Sequence, residues 1–539
     1  MHRSAHDPTA AGPGSRWLRA GSARWLLLAT YAALGLAWVF SDPPFTGPDE
    51  AAQFLRAVGI SDGALIGAPG HGPPVSSVPL QQEAMASTSR GVIVPPGLSP
   101  DPYSCELLDP DISAACTENA PENLASVREF TYVGTYQPLP FLLPALVLRA
   151  DDHAGGSLRL ARLATLAIWL ALLAVAIWTL WDASFGAPSL VGIILALTPM
   201  VVYLGASMSD SSTEIMASLA FFAVLLRIAR DGESASSRGL WGLAGACGAV
   251  LALSRPLGPV WIALDLVISA ALLGPRAAGV LVRRGGRPAL ASAVAVFAAI
   301  ALNRYWEGTY EPHVVFTPFP GLDVLNAGAQ DLHSILGEFI GNFGYLNVPL
   351  SPSVEWLWAL AVAALLGLAL AVGRPAARVA IVGSVLIAIA FPIYLFAASL
   401  RFTGFGLQGR YTLPVAVVIP LIAAEALRRG RARLPASLPA ALIAAGALIA
   451  GAVQLIAWWT NAQRYAVGAG GPTWFLGVAQ WSPPVGWPVW ATVAVVASLL
   501  LALFWIEPRA APCGAPGPGA PTRRWARLSR RSYGGTETR

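Results

Sequence analysis

Long apolar blocks alternate along this chain with shorter polar breaks rich in proline, glycine and arginine, and the blocks set the architecture. Each is close to the roughly 17 to 25 residues that a helix needs to cross hydrocarbon. They fall at 25–40, 158–181, 187–206, 213–229, 239–254, 256–273, 287–303, 354–373, 376–399, 411–427, 436–459 and 487–506. The pattern predicts an all-α polytopic membrane protein with about twelve transmembrane helices, because in lipid a helix satisfies its own backbone. The first block follows Arg16, Arg19 and Arg24 and has no small-residue cleavage site before Ser41. It is read as an uncleaved anchor rather than a signal peptide.

Two polar intervals are much longer than the rest. The first, 42–157, is a large loop between the first two spans, and loops of such length usually carry function. Within it Tyr136–Leu148 is apolar but short and holds Pro138, Pro140 and Pro144, which predicts a helix lying in the interface. The second is 304–353. The expected organisation is a cytoplasmic N-terminal segment (1–24), a transmembrane domain (25–506) and a disordered, arginine-rich cytoplasmic tail (507–539).

Composition agrees with the block pattern: of 539 residues, 55% are hydrophobic and only 12% charged, about half the charged share of a soluble domain. The net charge of +5 is carried by arginine alone, with no lysine anywhere. Its placement argues for topology rather than for a nucleic-acid partner. Arginines recur at every second break: 227, 230 and 238; 276, 283, 284 and 287; 374 and 378; 428, 429, 431 and 433; and the tail after 508. Cytoplasmic loops carry this excess, so both termini are expected inside a bacterial cell membrane, with 42–157 and 304–353 outside. Trp474, Trp481, Trp487 and Trp490 near the last outer loop resemble an interfacial aromatic belt. Cys105 and Cys116 share the first outer loop, where an oxidising compartment favours a disulfide. Cys247 reads as a small core residue, and Cys513 lies in the tail.

Chemistry-bearing residues collect on the expected outer face. Ser41 to Glu50 is a proline-rich run ending in the acidic pair Asp49-Glu50, with Arg56 two helical turns after Asp49. Asp49 is either a helix cap or a general base for lipid-linked chemistry. Ser207–Glu214 forms a second acidic turn, in which Asp210 either caps the next span or joins Asp49 to position an acceptor or a divalent cation. Arg255 and Arg410 lie on the outer side against the general bias, where they either snorkel or bind a lipid phosphate. Asp265, near the middle of a span, is either a proton or ion site, as in a transporter, or a protonated residue hydrogen-bonded to a neighbouring helix. His313 and His333 show no ligand spacing.

Taken in order, Pro48-Asp49-Glu50 with Arg56, Tyr136-Gln137-Pro138-Leu139-Pro140, Ser207–Asp210, Leu253-Ser254-Arg255-Pro256 and Gln408-Gly409-Arg410-Tyr411 with Pro414 resemble an uncharacterised bacterial membrane family, domain of unknown function 2142. That family is grouped with the GT-C glycosyltransferases. The resemblance implies a GT-C-like fold and a polyprenyl-phosphate sugar donor used outside the cytoplasm. It assigns catalysis to Asp49, with Glu50 as fallback; the reading of the outer-face residues adds Arg56, Tyr136, Asp210, Arg255, Gln408, Arg410 and Tyr411 as expected substrate-binding residues. Gln53 stands where relatives often have histidine, and Arg255, before a proline, keeps the charge where relatives can have lysine. The expected function is transfer of a sugar to an envelope glycan or glycoprotein acceptor. The competing readings are a transporter or flippase of lipid-linked glycans and a non-catalytic envelope scaffold.

Overall fold

The computed structural model describes residues 13–504 except 71, 73–75, 183, 232–237, 312–320 and 436. The expected tail, Cys513 and His313 lie outside the described residues. The chain begins with α1 (Pro13–Ser41) and then builds a lobe. The lobe holds α2 (Glu50–Ser61), β1 (Ala68–Pro69), α3 (Pro79–Thr88), β2 (Arg90–Val94), β3 (Val127–Thr131) and α4 (Leu139–Val147). Next come α5 (Ala154–Leu180), α6 (Val191–Ala196), α7 (Pro199–Ala206), α8 (Asp210–Asp231), α9 (Arg238–Ala252), α10 (Gly258–Leu273) and α11 (Pro275–Tyr310). The second long interval contributes α12 (Gly321–Glu338) and the small hairpin β4 (Asn342–Phe343)–β5 (Val348–Pro349). The chain continues through α13 (Pro352–Val372), α14 (Pro375–Thr403), α15 (Leu413–Ala416), α16 (Val418–Gly430), α17 (Leu438–Val467) and α18 (Trp487–Ala502).

Among the described residues, eight helices are long and apolar enough to cross a membrane: α1, α5, α8, α11, α13, α14, the run Gly409–Arg433 holding α15 and α16, and α17. The block predicted at 187–206 is not one straight helix but the pair α6 and α7, bent by 68°. Pro199 starts the second half, where its missing N–H is harmless, and Thr198 caps it by accepting from the Val201 amide at 3.3 Å. The break is filled by chain from the second long interval: the Met200 amide donates to Ile340 O at 2.9 Å, and Thr198 Oγ1 donates to Phe339 O at 2.7 Å. The arginine-bearing segment before the block at 287–303 is itself helical up to Gly286, whose φ of 53° kinks α11 ahead of Pro288. Helices α9, α10 and α18 are apolar but short, at 15, 16 and 16 residues. The protein is therefore a helical, multi-pass membrane protein.

The lobe has its own apolar core, including Phe45, Phe54, Val58, Val92, Val94, Phe141, Leu148 and Leu158. Its three-stranded antiparallel sheet has the order β1-β2-β3, so β3 is an edge. The sheet is tied to α2 by Thr131 Oγ1, which donates to Ala52 O at 2.7 Å. Cys105 and Cys116 are joined by a disulfide, and the turn they close is held by Arg464 at the end of α17. Arg464 donates to the carbonyls of Glu106, Asp109 and Ile112 at 2.8, 3.1 and 2.6 Å. The tryptophans after α17 do not form an outward belt. Trp481 and Trp487 are buried and pack edge to face at 5.6 Å, while Trp474 alone of the four is strongly exposed.

Candidate functional site

The start of α2 decides what Asp49 does. Asp49 adopts left-handed backbone, φ 58°, and its side chain makes no capping hydrogen bond. Such a conformation is uncommon for a residue with a Cβ and holds only where the surroundings impose it. The turn aims the carboxylate across the lobe: Oδ1 accepts from the Tyr132 hydroxyl at 2.7 Å, and Oδ2 accepts from Arg410 Nη2. Arg410 also donates to Pro48 O at 3.2 Å. The capping alternative for Asp49 is excluded by this geometry. Burial pushes the Asp49 carboxyl up, but Arg410, the Tyr132 hydroxyl and Arg255 together hold it below the usual carboxylate range. Burial and the negative charge of Asp49 push the Tyr132 hydroxyl well up.

Glu50, the adjacent acid, points elsewhere. Successive residues on a helix diverge by about 100°, and Glu50 turns into the packed junction of α1, α5 and α8. Its Oε1 accepts from Arg162 Nε at 2.8 Å and from the Met208 amide at 2.9 Å, and its Oε2 accepts from Arg162 Nη2 at 2.6 Å. The side chains of Arg162 and Glu50 are 1% and 0% exposed, whereas that of Asp49 is 23% exposed. Only Asp49 of the pair is open to a ligand.

The remaining predicted residues gather around Asp49. Arg255, in the turn between α9 and α10, places Nε 3.4 Å from Asp210 Oδ2 and 4.0 Å from Glu214 Oε2. It also donates to Ser211 Oγ. The Tyr411 ring lies between the two arginines, 4.6 Å from the Arg255 guanidinium and 5.1 Å from that of Arg410. Tyr136 packs against Arg255 at 6.0 Å, and burial raises its hydroxyl well above the ordinary value. Arg56 supports this wall from behind, donating to Tyr136 O at 2.9 Å. Burial, with Arg90 nearby, pushes Arg56 down to about 10. Gln408 is half-buried just before the turn that carries Arg410, and the Gly409 amide in that turn donates to Glu338 Oε2 at 2.5 Å. Asp210 also receives help from Gln53, whose Oε1 accepts the Asp210 amide at 2.8 Å.

The arrangement presents two guanidinium groups flanking an aromatic ring, beside one accessible carboxylate. Such a set suits a phosphate held next to a proton acceptor. The carboxylates Asp49 and Asp210 each already face an arginine. Their countercharge is guanidinium, so they do not fit a resident divalent cation. The acid–cysteine group Cys105, Glu106 and Cys116 has ligand spacing, but its sulfurs are consumed by the disulfide. His333 is exposed on α12. Asp265 is buried in α10, accepting from Ser218 Oγ at 3.2 Å.

Sequence reasoning missed Arg162 and Tyr132, and noted Gln53 and Glu214 without giving either a role in the site. A charged residue inside the apolar block of α5 was the available signal for Arg162. Tyr132 had none, because its role comes from the fold of the lobe. No curated protein matches the chain significantly. The family described as "Predicted membrane protein (DUF2142)" matches residues 33–419, which span the site from Asp49 to Tyr411, and the chain belongs to that family.

Proposed function

We propose that the protein is a GT-C-like glycosyltransferase that moves a sugar from polyprenyl phosphate to a hydroxyl of an envelope glycan or glycoprotein, outside the cytoplasm of a bacterial cell. In this reading α9, α10 and α18 cross the membrane as short spans, which makes twelve crossings with both termini cytoplasmic. The arginines at the far ends of α8 and α16 suit that orientation: Arg230, Arg428 and Arg429 surround Glu425 at 2.7, 2.9 and 2.7 Å.

The observation that carries the reading is the left-handed Asp49, which delivers an accessible carboxylate to Arg410 and Tyr132 instead of to its own helix. The acceptor oxygen attacks the anomeric carbon as its proton passes to Asp49, and the bond from that carbon to the phosphate oxygen breaks. The electron pair leaves with the lipid phosphate, whose charge Arg410 and Arg255 stabilise. Until donor binds, Arg410 holds Asp49 ionised but weakly basic. A bound phosphate competes for Arg410, frees the carboxylate and lets its basicity rise when it is needed. Asp210 and Glu214 hold Arg255, while Arg56 and Tyr136 form the wall beneath it. Glu50 is a positioning residue.

The test is transfer by the purified, reconstituted protein from labelled polyprenyl-phosphate sugars. Asp49→Asn is expected to lower transfer by about 10²–10⁴-fold while donor binding persists. Unchanged transfer in Asp49→Asn would overturn the assignment. Transmembrane movement of the labelled lipid that is lost in Asp265→Asn and kept in Asp49→Asn would point to a transporter instead.

A further inference from the structure

A cavity of about 750 Å³ opens in the lobe between α3 and the free edge strand β3. Its volume falls within the range of about 300–1,000 Å³ typical of small-molecule sites. Arg128 and Phe130 lie on one face of β3 and Glu129 on the other, and all three line the cavity along the edge of the strand, with Tyr132 in the turn that follows. Asp101 lines it from the connection between β2 and β3, and Glu83 from α3. Tyr132, whose hydroxyl donates to Asp49, also lines this cavity. The cavity and the carboxylate are thus connected through a single side chain.

The chemistry of the walls differs from that of the arginine site. The carboxylates of Glu83 and Asp101, with the Glu129 carboxyl that burial pushes up to about 7, line the cavity against one guanidinium, and that guanidinium lies over the Phe130 ring at 5.8 Å. A phosphate is repelled here and attracted to Arg255 and Arg410. The two sides of Asp49 therefore differ in charge. Aromatic faces interleaved with hydrogen-bond acceptors suit a ligand with apolar C–H faces and many hydroxyl donors. Glu129 adds an unmet group: its Oε2 is buried and has no hydrogen-bond partner among the described residues. A buried acceptor left unpaired costs stability that a ligand donor would recover.

We infer that the cavity between α3 and β3 binds an uncharged or amine-bearing oligosaccharide, and that this is the acceptor of the transferase reaction proposed above. The inference rests on that reading for the word acceptor, but not for the binding itself. Phe130 and Tyr132 stack on sugar rings, Glu83, Asp101 and Glu129 accept from hydroxyl or ammonium groups, and the ligand's reactive hydroxyl lies at Tyr132, next to Asp49.

The full-length protein in detergent is tested on an array of neutral, amino-sugar and uronic-acid oligosaccharides. Neutral or amino-sugar members are expected to be retained, and uronic acids rejected. Ala86→Trp, which fills the cavity from α3, and Phe130→Ala, which empties it, are each expected to weaken retention by about tenfold or more. Neither is expected to alter binding of polyprenyl phosphate, which also checks that the variant is folded. Absence of any oligosaccharide binding, or wild-type retention by both folded variants, overturns the inference. Oligosaccharide binding without any transfer leaves the inference standing and sinks the transferase reading. Transfer that proceeds with an unaltered acceptor KM in Ala86→Trp does the reverse.

Discussion

Replacing Glu50 by glutamine separates scaffold from chemistry at the acidic pair. The change keeps the size of the side chain and removes its charge. In the native protein Arg162 uses all five guanidinium N–H groups, toward both Glu50 oxygens and the carbonyls of Val39, Asp42 and Pro43. Glu50 also accepts from the amides of Gly47 at 3.3 Å and Met208 at 2.9 Å. An amide nitrogen in place of either oxygen turns at least one of these contacts into donor against donor. The pair is 1% and 0% exposed, so solvent does not screen the loss. Removing one partner of such a buried pair costs about 3–5 kcal/mol, or roughly two to nearly four orders of magnitude in the folding equilibrium. Replacing both, as in Glu50→Gln with Arg162→Met, costs much less than the sum of the two single changes. The assay is the thermal midpoint of the detergent-solubilised full-length protein, read in parallel with transfer activity. Glu50→Gln is expected to lower the midpoint, with transfer falling only as far as the folded fraction falls. A Glu50→Gln protein with a wild-type midpoint and no transfer would refute the reasoning and make Glu50 the base.

Three further outcomes follow from the same geometry. Burial pushes Glu129 up from 4.5 to about 7, so the folded state favours its protonated form; that stabilising contribution is complete below about 4.5 and is lost as pH rises through 7. Glu129→Gln is expected to flatten the pH dependence of the thermal midpoint across that window, and an unaltered slope would count against the assignment. Tyr132→Phe removes a hydrogen bond that favours ionised Asp49 and so raises its pKa; the acidic limb of the pH–rate profile is expected to move to higher pH, and a limb that stays put would show that Asp49 does not govern it. Opening the link between Cys105 and Cys116, which closes a loop with a sequence separation of 11, is expected to cost about 3 kcal/mol. The Cys105→Ser/Cys116→Ser protein should therefore melt earlier than wild type in the absence of reductant, and identical melting would show that Arg464 alone secures the turn.

Much of the architecture was readable in one dimension because lipid leaves few options. A block of apolar residues of spanning length must be helical, so α1, α5, α8, α13, α14 and α17 stand where the hydropathy pattern put them. The lone arginines Arg255 and Arg410 and the acidic turns at Asp49 and Asp210 stood out for the same reason, since charge is costly beside apolar spans. Local proline chemistry was legible as well: Pro138, Pro140 and Pro144 announced the short helix α4.

Tertiary structure decided everything that depends on which side of a residue faces which neighbour. Asp49 and Glu50 are adjacent and alike in sequence, and only the left-handed turn at Asp49 leaves one partly accessible against Arg410 and sends the other into a sealed junction with Arg162. Asp49 and Arg410 are 361 positions apart, and no periodicity encodes their meeting. The bend between α6 and α7 depends on a loop from the second long interval entering the break, as well as on Pro199. Hydrophobic pattern reports the solvent that each segment sees, which is a local property. Convergence of charges reports how segments pack against one another, and that is settled only when the whole chain is folded.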